Sequence, residues 1–566
     1  MSASSVILLF FIVVFIAYSN SFFMKKRKKE VALYSLLGVR KQQIGLMLFF
    51  ENLFIGLVSL VAGIAIVFLM SKVLLTILVR LMGYSLTAGF VFSSEAVINT
   101  VIVFLILFIF TSLQGYRVIY QFKLIDLFHA EKQGEAMPRA SVLSAIIGVL
   151  SVSASYYLAL EDIMTSMWWR ILSIAMPIVI IGLTVFGTYL LFHSVSVFVL
   201  QAMKKMHSFS WRGLNLITTS QLLYRIRGNA KSLTVIAVLS ATTITAGGAV
   251  FGLYYNIDKS INENTPVTFM WEGEPLEVPQ VSTHHTLATK LVTFTHNESE
   301  RQYERQYQVL PLDTYNELAQ EQVKAKITTM ATNEGVLLDP YYDERFSDKL
   351  TGADFTANVP LHLTSQETYA VTNMMTTGPM IIVNEQTYEA LEGEATTYQA
   401  YTLQDGADGL AISRELDSQL TEAQQDFTSQ PAAYEDIMSA MGAMLFVGSF
   451  LGLVFLTATG SIIYFKIVSE AEADKDKYTI LYKIGVNDAQ MLKTISAQVG
   501  IIFGAPLAAG LLHATFALLG FSNLLGMSIT KPVLVWMAAY IAIYGLYYIF
   551  TTRAFYKIVK NARGNA

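Results

Sequence analysis

LYSLLGVRKQQI occupies residues 33–44, and TILYKIGVNDAQML occupies residues 479–492. Setting Gly38 on Gly485 places Val39 on Val486, Gln43 on Gln490 and Ile44 on Met491. It also places Leu33 and Leu37 on Ile480 and Ile484, so one apolar stripe is preserved. Each copy reads as a short amphipathic helix, a Gly-Val turn and a helix that runs on into a long apolar stretch. A chain that builds one small element twice, each time just after a membrane span, is building two equivalent docking elements. The fold that follows is an all-α polytopic membrane protein in two half-bundles, with a task that depends on something outside the chain.

Composition sets the frame for that reading. Apolar residues make up 53% of the 566 positions and charged residues only 14%, far from the balance of a soluble globular chain. The apolar residues gather in runs of roughly 20, the length that crosses a bilayer as a helix. Nine spans are read: 4–23, 45–70, 96–118, 141–160, 172–195, 232–255, 440–465, 494–518 and 532–551. There is no cysteine, which excludes disulfides, thiol catalysis and cysteine metal sites. No G-x-x-x-x-G-K-[ST] loop occurs, so the chain has no P-loop cradle for nucleotide phosphates.

Lysine and arginine orient the spans. KKRKK at 25–29 follows the first span, and Arg117, Lys123 and Lys132 follow the third. Lys204, Lys205, Arg212, Arg225, Arg227 and Lys231 lie between the fifth and sixth. Lys466, Lys475, Lys477 and Lys483 follow the seventh, and Arg553, Lys557, Lys560 and Arg563 follow the ninth. All fall on one side, which is therefore cytoplasmic, with the N-terminus outside and the C-terminus inside. Residues 257–437 are then extracellular, and acidic residues there outnumber basic ones roughly three to one. A solvated exported surface and recruitment of a cationic ligand both account for that excess. PMIIV at 379–383 reads as a strand and 417–428 as a helix, so this inserted domain is α+β.

The residues at this point carry a resemblance. YFK at 464–466, EAE at 470–472, YTILYKIG at 478–485, FGAPL at 503–507 and GLLH at 510–513 are its most specific parts. The block from Lys26 to Arg40, Glu51-Asn52 and, more loosely, TGPMIIV at 377–383 fit as well. Together they resemble an FtsX-superfamily ABC transporter permease of the bacitracin-export (BceB) type. In that family's terms, residues 1–118 form a first FtsX-like transmembrane unit and 119–231 linking spans with a cytoplasmic amphipathic segment. Residues 232–256 are the span before the extracellular domain, 257–437 that domain, and 438–566 the second unit. Family members have ten spans, and the first of the nine here resembles the family's second. That leaves a misassigned gene start, a truncated gene, or a protein that works without the helix.

The resemblance implies the membrane subunit of an ATP-driven transporter in the bacterial plasma membrane, one that confers resistance to cell-wall-targeting peptides such as bacitracin. It implies a cytoplasmic ABC ATPase dimer as partner, in many members a sensor histidine kinase, and the peptide or its lipid-carrier complex as ligand. No cofactor is expected in this chain, since ATP and magnesium would be bound by the ATPase, and no nucleic-acid partner is expected. A sensory module for a kinase and a transmembrane activator of cell-wall hydrolases are the other classes left open.

Candidate site residues follow. Leu33, Leu36, Leu37, Gly38 and Val39, with Ile480, Leu481, Ile484, Gly485 and Val486, would enter clefts on the ATPase dimer; an amphipathic helix lying on lipid is the competing reading. Glu51 and Gln498 share one aligned position near the cytoplasmic end of a span, where hydrogen bonding between spans competes with transport chemistry. His513 and Pro506 lie within the eighth span, as a packing histidine and a hinge, and Pro177 in the fifth reads as a second hinge. Lys72, Arg80, Arg170 and Lys531 sit near the outer interface, as pyrophosphate contacts or snorkelling anchors. His284, His285 and His296 lack the spacing of a metal site.

Overall fold

Long apolar stretches and short β-branched ones sort this chain into two kinds of structure, because a helix satisfies its own backbone in lipid whereas a strand needs neighbours. The computed structural model describes residues 27–84, 89, 92–121, 141–163, 165–210, 214–298, 301–344, 347, 349–421 and 424–564, with scattered positions between 9 and 20. The chain divides into a helical unit, Met1–Glu161, Leu172–Phe251 and Ala443–Ala566, and a sheet unit, Asp162–Ile171 and Gly252–Gly442.

The principal helices are α1 (Lys28–Leu36), α2 (Lys41–Leu81), α3 (Ser94–Gln121), α4 (Val142–Leu160), α5 (Met176–Leu190), α6 (Asn215–Gly228) and α7 (Ala230–Tyr255). After them come α8 (Ile257–Asn264), α9 (Gln430–Lys483), α10 (Asp488–Leu525) and α11 (Thr530–Gly564). Among the described residues, 8 helices are long and apolar enough to cross a membrane, at the places of the second to ninth predicted spans. The first predicted span, 4–23, lies mostly outside the described residues.

Two local expectations are corrected. The second repeat copy is not led by a short helix: α9 runs unbroken for 54 residues into the Gly485 turn, a length of about 80 Å. Pro177 is no mid-helix hinge either. A tight turn at Ser173–Ala175 precedes α5, and Pro177 sits in the first turn of that helix, where its missing N–H removes no bond. Pro506, by contrast, is buried inside α10, and the helix continues through it.

Small residues let the helices approach. A β-carbon on Gly187 of α5 would come within 2.7 Å of Val152 Cγ2 and 3.0 Å of the Gly148 carbonyl oxygen, and one on Gly148 of α4 within 2.8 Å of Leu190 Cβ. Packing of this kind drives helix association where lipid is as apolar as the side chains. Gly187→Leu is therefore expected to cost about 1–3 kcal/mol by overpacking. Thermal unfolding of the detergent-purified chain checks this, with Gly187→Ala falling between wild type and the leucine variant.

Among the described residues the sheet unit holds nine strands: β1 (Phe269–Gly273), β2 (Val281–Glu298), β3 (Arg301–Pro311), β4 (Glu334–Leu338), β5 (Asp354–Thr356), β6 (Pro360–Glu367), β7 (Met380–Val383), β8 (Glu394–Leu403) and β9 (Gln424–Ser429). Their order is β3-β7-β4-β6-β5-β2-β8-β1-β9, and β2 also pairs with β3. The 18-residue β2 bonds β8 through its first half and both β5 and β3 through its second. Six strands thus close into a ring around Phe294, Phe355, Leu361, Leu363 and Val309. PMIIV forms β7 as expected, with all four of its strand residues buried.

The predicted helix at 417–428 is wrong. Asp408 caps a helix at Gly409–Gln419 by accepting from the Ala411 N–H, and 424–429 is strand β9. Phe427 lies over Phe269 and Trp271, and the register shift opposite Trp271 goes with a left-handed Asp426 at φ 53°, the mark of a bulge. Aromatic packing across β1 overrides the local helix preference there.

Lys324 belongs to this unit and is half-buried, its Nζ donating to Gln322 Oε1 and to the Ala370 carbonyl, near the Tyr369 ring. Burial pulls its pKa down to about 8, with Glu263 opposing the shift. The folded value lies below the unfolded one, so between pH 8 and 10.5 the unfolded chain binds more protons and stability rises with pH. As pH falls through 8 that contribution is lost. Chemical denaturation of wild type and Lys324→Met across this window is expected to show wild type gaining stability relative to the variant as pH rises; a constant offset would contradict the assignment.

Candidate coupling site

Both repeat copies make the same turn, bond for bond. In the first, Leu37 N–H donates to Leu33 O at 3.0 Å, Gly38 N–H to Ser35 O at 3.2 Å and Val39 N–H to Tyr34 O at 3.1 Å. In the second, Ile484 N–H donates to Ile480 O at 3.1 Å, Gly485 N–H to Tyr482 O at 2.9 Å and Val486 N–H to Leu481 O at 3.1 Å. The six-to-one bond closing each turn requires the residue before its donor to be left-handed; Gly38 stands at φ 86° and Gly485 at φ 100°. The aligned glutamines now have a task. Gln43 Oε1 accepts from the Arg40 N–H at 3.3 Å, and Gln490 Oε1 from the Asn487 N–H at 3.2 Å. Each starts the following helix by satisfying an orphan donor.

The turns present apolar tips. Leu37 is 73% exposed and Ile484 71%, with Leu33, Leu36 and Ile480 also exposed. Leu481 is half-buried. The copies part at the next position: Val39 is exposed, whereas Val486 is buried and so is no part of the presented edge. On the inner side Ile44 and Leu48 pack with Val31, and their counterparts Met491 and Ile495 join the main core with Tyr478.

Behind each turn lies a polar tie. Glu51 accepts both arms of the Arg27 guanidinium, one at 2.5 Å. Under the same alignment, Arg27 corresponds to Asp474 and Glu51 to Gln498, and these two do not pair directly. Arg225 of α6 bonds both: its Nη2 pairs with Asp474 and its Nη1 donates to Gln498 Oε1 at 3.0 Å. Tyr478 Oη donates to the same Gln498 oxygen at 3.1 Å, and Gln498 Nε2 to Gln221 Oε1 at 2.6 Å. Sequence reading treated Arg225 only as a topological charge. The signal it missed is Gln221, Arg225 and Asn229 at four-residue spacing, one polar stripe.

Comparison with known proteins now bears on this site. The FtsX-like permease C-terminal model matches residues 2–123, which include the first turn. ABC transporter permease protein YxdM of Bacillus subtilis is 26% identical over 87% of this chain and 80% of its own length. The bacitracin export permease proteins BceB of Halalkalibacterium halodurans and of B. subtilis are 26% and 24% identical, each over 94% of this chain and 87% of their own. The chain carries an FtsX-like permease domain, and over most of its length it is similar to ABC transporter permeases. Permeases of this kind are not themselves ATPases and imply a cytoplasmic ABC ATPase partner.

His513 is buried and bonded at both ring nitrogens, to Tyr156 Oη at 2.6 Å and Thr188 Oγ1 at 2.8 Å. It ties α10 to α4 and α5, as a packing histidine does. Lys72 and Arg80 are exposed eight positions apart on α2, Lys531 is exposed at the start of α11, and Arg170 is exposed in the sheet unit. Of the sheet-unit histidines, His284 stacks on Tyr401 and bonds Gln399 at 2.8 Å, His285 bonds Glu321 at 3.0 Å, and His296 stacks on Phe355. Among the described residues no cluster of His, Asp and Glu is placed to hold a metal.

Proposed function

We propose that this permease is the membrane subunit of an ATP-driven system that confers resistance to, and senses, cell-wall-targeting antimicrobial peptides of the bacitracin class. ATP and magnesium are bound by a separate cytoplasmic ATPase dimer. The two glycine turns, one in each half, enter clefts on that dimer, and their exposed leucine and isoleucine tips move when the dimer closes. The helices behind the turns carry the displacement to the extracellular domain, which pulls the peptide from its lipid-linked target. The observation that carries the reading is the pair of identically bonded turns with matching apolar tips. The resemblance to bacitracin export permeases supports the ligand class.

The test is growth of a bacitracin-sensitive strain expressing the permease with and without its ATPase. Resistance at least tenfold above background is expected only with both. Peptide-dependent induction that survives loss of the ATPase, with no resistance in either strain, would make the chain a sensor instead. Equal resistance without the ATPase would overturn the proposal.

A further inference from the structure

We infer that α6 is the seat of the second coupling turn and that Arg225 is its positioning residue, whereas among the described residues the first turn is tied by the direct pair of Arg27 with Glu51. This rests on the coupling reading above. The polar stripe of α6 meets both arms of the second turn. Gln221 bonds Gln498 on α10, Arg225 bonds Asp474 on α9 and Gln498 on α10, and Asn229, just past the end of α6, donates to Glu470 Oε1 on α9 at 2.7 Å. Arg225 Nε also lies 3.7 Å from Glu470 Oε2, and its guanidinium carbon 5.7 Å from the centre of the Phe555 ring. A planar fork with five donors can face two carboxylates and an amide oxygen at once.

The comparison between the halves gives this cluster its meaning. At the aligned positions the first half uses a direct pair, Arg27 with Glu51, each side chain 34% exposed. In the second half the Arg225 side chain is 9% exposed and Asp474 14%, and the cation comes from a third helix. A buried, multiply bonded ion pair opens far less readily than a half-exposed one. The second turn is therefore the fixed one and the first the yielding one. α6, which is not among the membrane-crossing helices, belongs to the coupling apparatus.

Amide hydrogen exchange and ATP hydrolysis of the permease–ATPase complex test this together. In wild type, 479–492 is expected to exchange at least tenfold more slowly than 33–44. Arg225→Met keeps the stem over Phe555 but removes the fork. Exchange at 479–492 should then rise at least tenfold, and permease-stimulated hydrolysis should fall at least fivefold with the basal rate unchanged. The triple variant Arg225→Met, Asp474→Arg, Gln498→Glu gives the second half the direct pair of the first, and guards against misfolding of the single variant. It should protect 479–492 to no more than the level of 33–44. Unchanged exchange and stimulation in Arg225→Met, or full wild-type protection in the triple variant, would overturn the inference. Gly485→Glu separates the two ideas: unaffected hydrolysis there sinks the coupling reading, whereas lost hydrolysis there with a silent Arg225→Met sinks the seat alone.

Discussion

Gly485→Glu and Gly38→Glu are each expected to lower stimulated ATP hydrolysis at least tenfold, while the protein still reaches the membrane at wild-type level. A β-carbon at either glycine would meet nothing within 4 Å, so the cause is not a clash with a neighbour. It is conformational: both residues are left-handed, and a residue with a long side chain pays roughly 1–3 kcal/mol to remain so. The chain escapes by straightening, which breaks the bonds from Val39 to Tyr34 and from Val486 to Leu481 and turns the apolar tips away. The carboxylate also places a charge among leucines meant for an apolar cleft. Gly485→Asn should be milder, because asparagine tolerates the left-handed region better than other non-glycine residues. Hydrolysis by the reconstituted complex, beside membrane-level immunoblots, is the measurement. Full stimulation in both glutamate variants would remove the turns from the mechanism.

Asn373→Ala is expected to destabilise the sheet unit by about 3–5 kcal/mol, as the two buried backbone groups of Val267 lose their partners at roughly 1–3 kcal/mol each. Asn373 is fully buried. Its Oδ1 accepts from the Val267 N–H at 3.0 Å, and its Nδ2 donates to Val267 O at 3.1 Å and Thr428 Oγ1 at 2.9 Å. Val267 follows α8, and Thr428 precedes α9 by two residues, so one amide staples the places where the chain enters and leaves the sheet. Alanine leaves the buried Val267 backbone pair without these bonds, while the half-buried Thr428 hydroxyl keeps Thr376 and the Met270 carbonyl. Urea unfolding of the full chain, followed by Trp271 fluorescence, should show the midpoint fall. Asn373→Asp should be damaging as well, because a carboxylate cannot donate to Val267 O and would be charged in a dry site. An unchanged midpoint would show that the staple carries no load.

Much of this was legible from residue order. Runs near the bilayer thickness mark spans whatever surrounds them, since in lipid a helix is the segment's own answer to its backbone. A glycine turn is equally local: Gly38 and Gly485, followed by Gln43 and Gln490, carry their caps within a few residues. What failed was whatever depended on distant partners. The stretch 417–428 looked helical until Phe427 found Phe269 and Trp271. Pro177 resembled a hinge because the tight turn before α5 leaves no period in the sequence.

The amino-acid sequence by itself determined that this is a multi-pass membrane protein with two matching turns, because hydrophobic length and local backbone geometry are properties of contiguous residues. Tertiary structure alone decided how each turn is held. Glu51 meets a cation 24 positions away, whereas Gln498 meets one 273 positions away. Hydrogen bonds and ion pairs act over a few ångströms of space, and no periodicity along the chain records which distant residue will stand there.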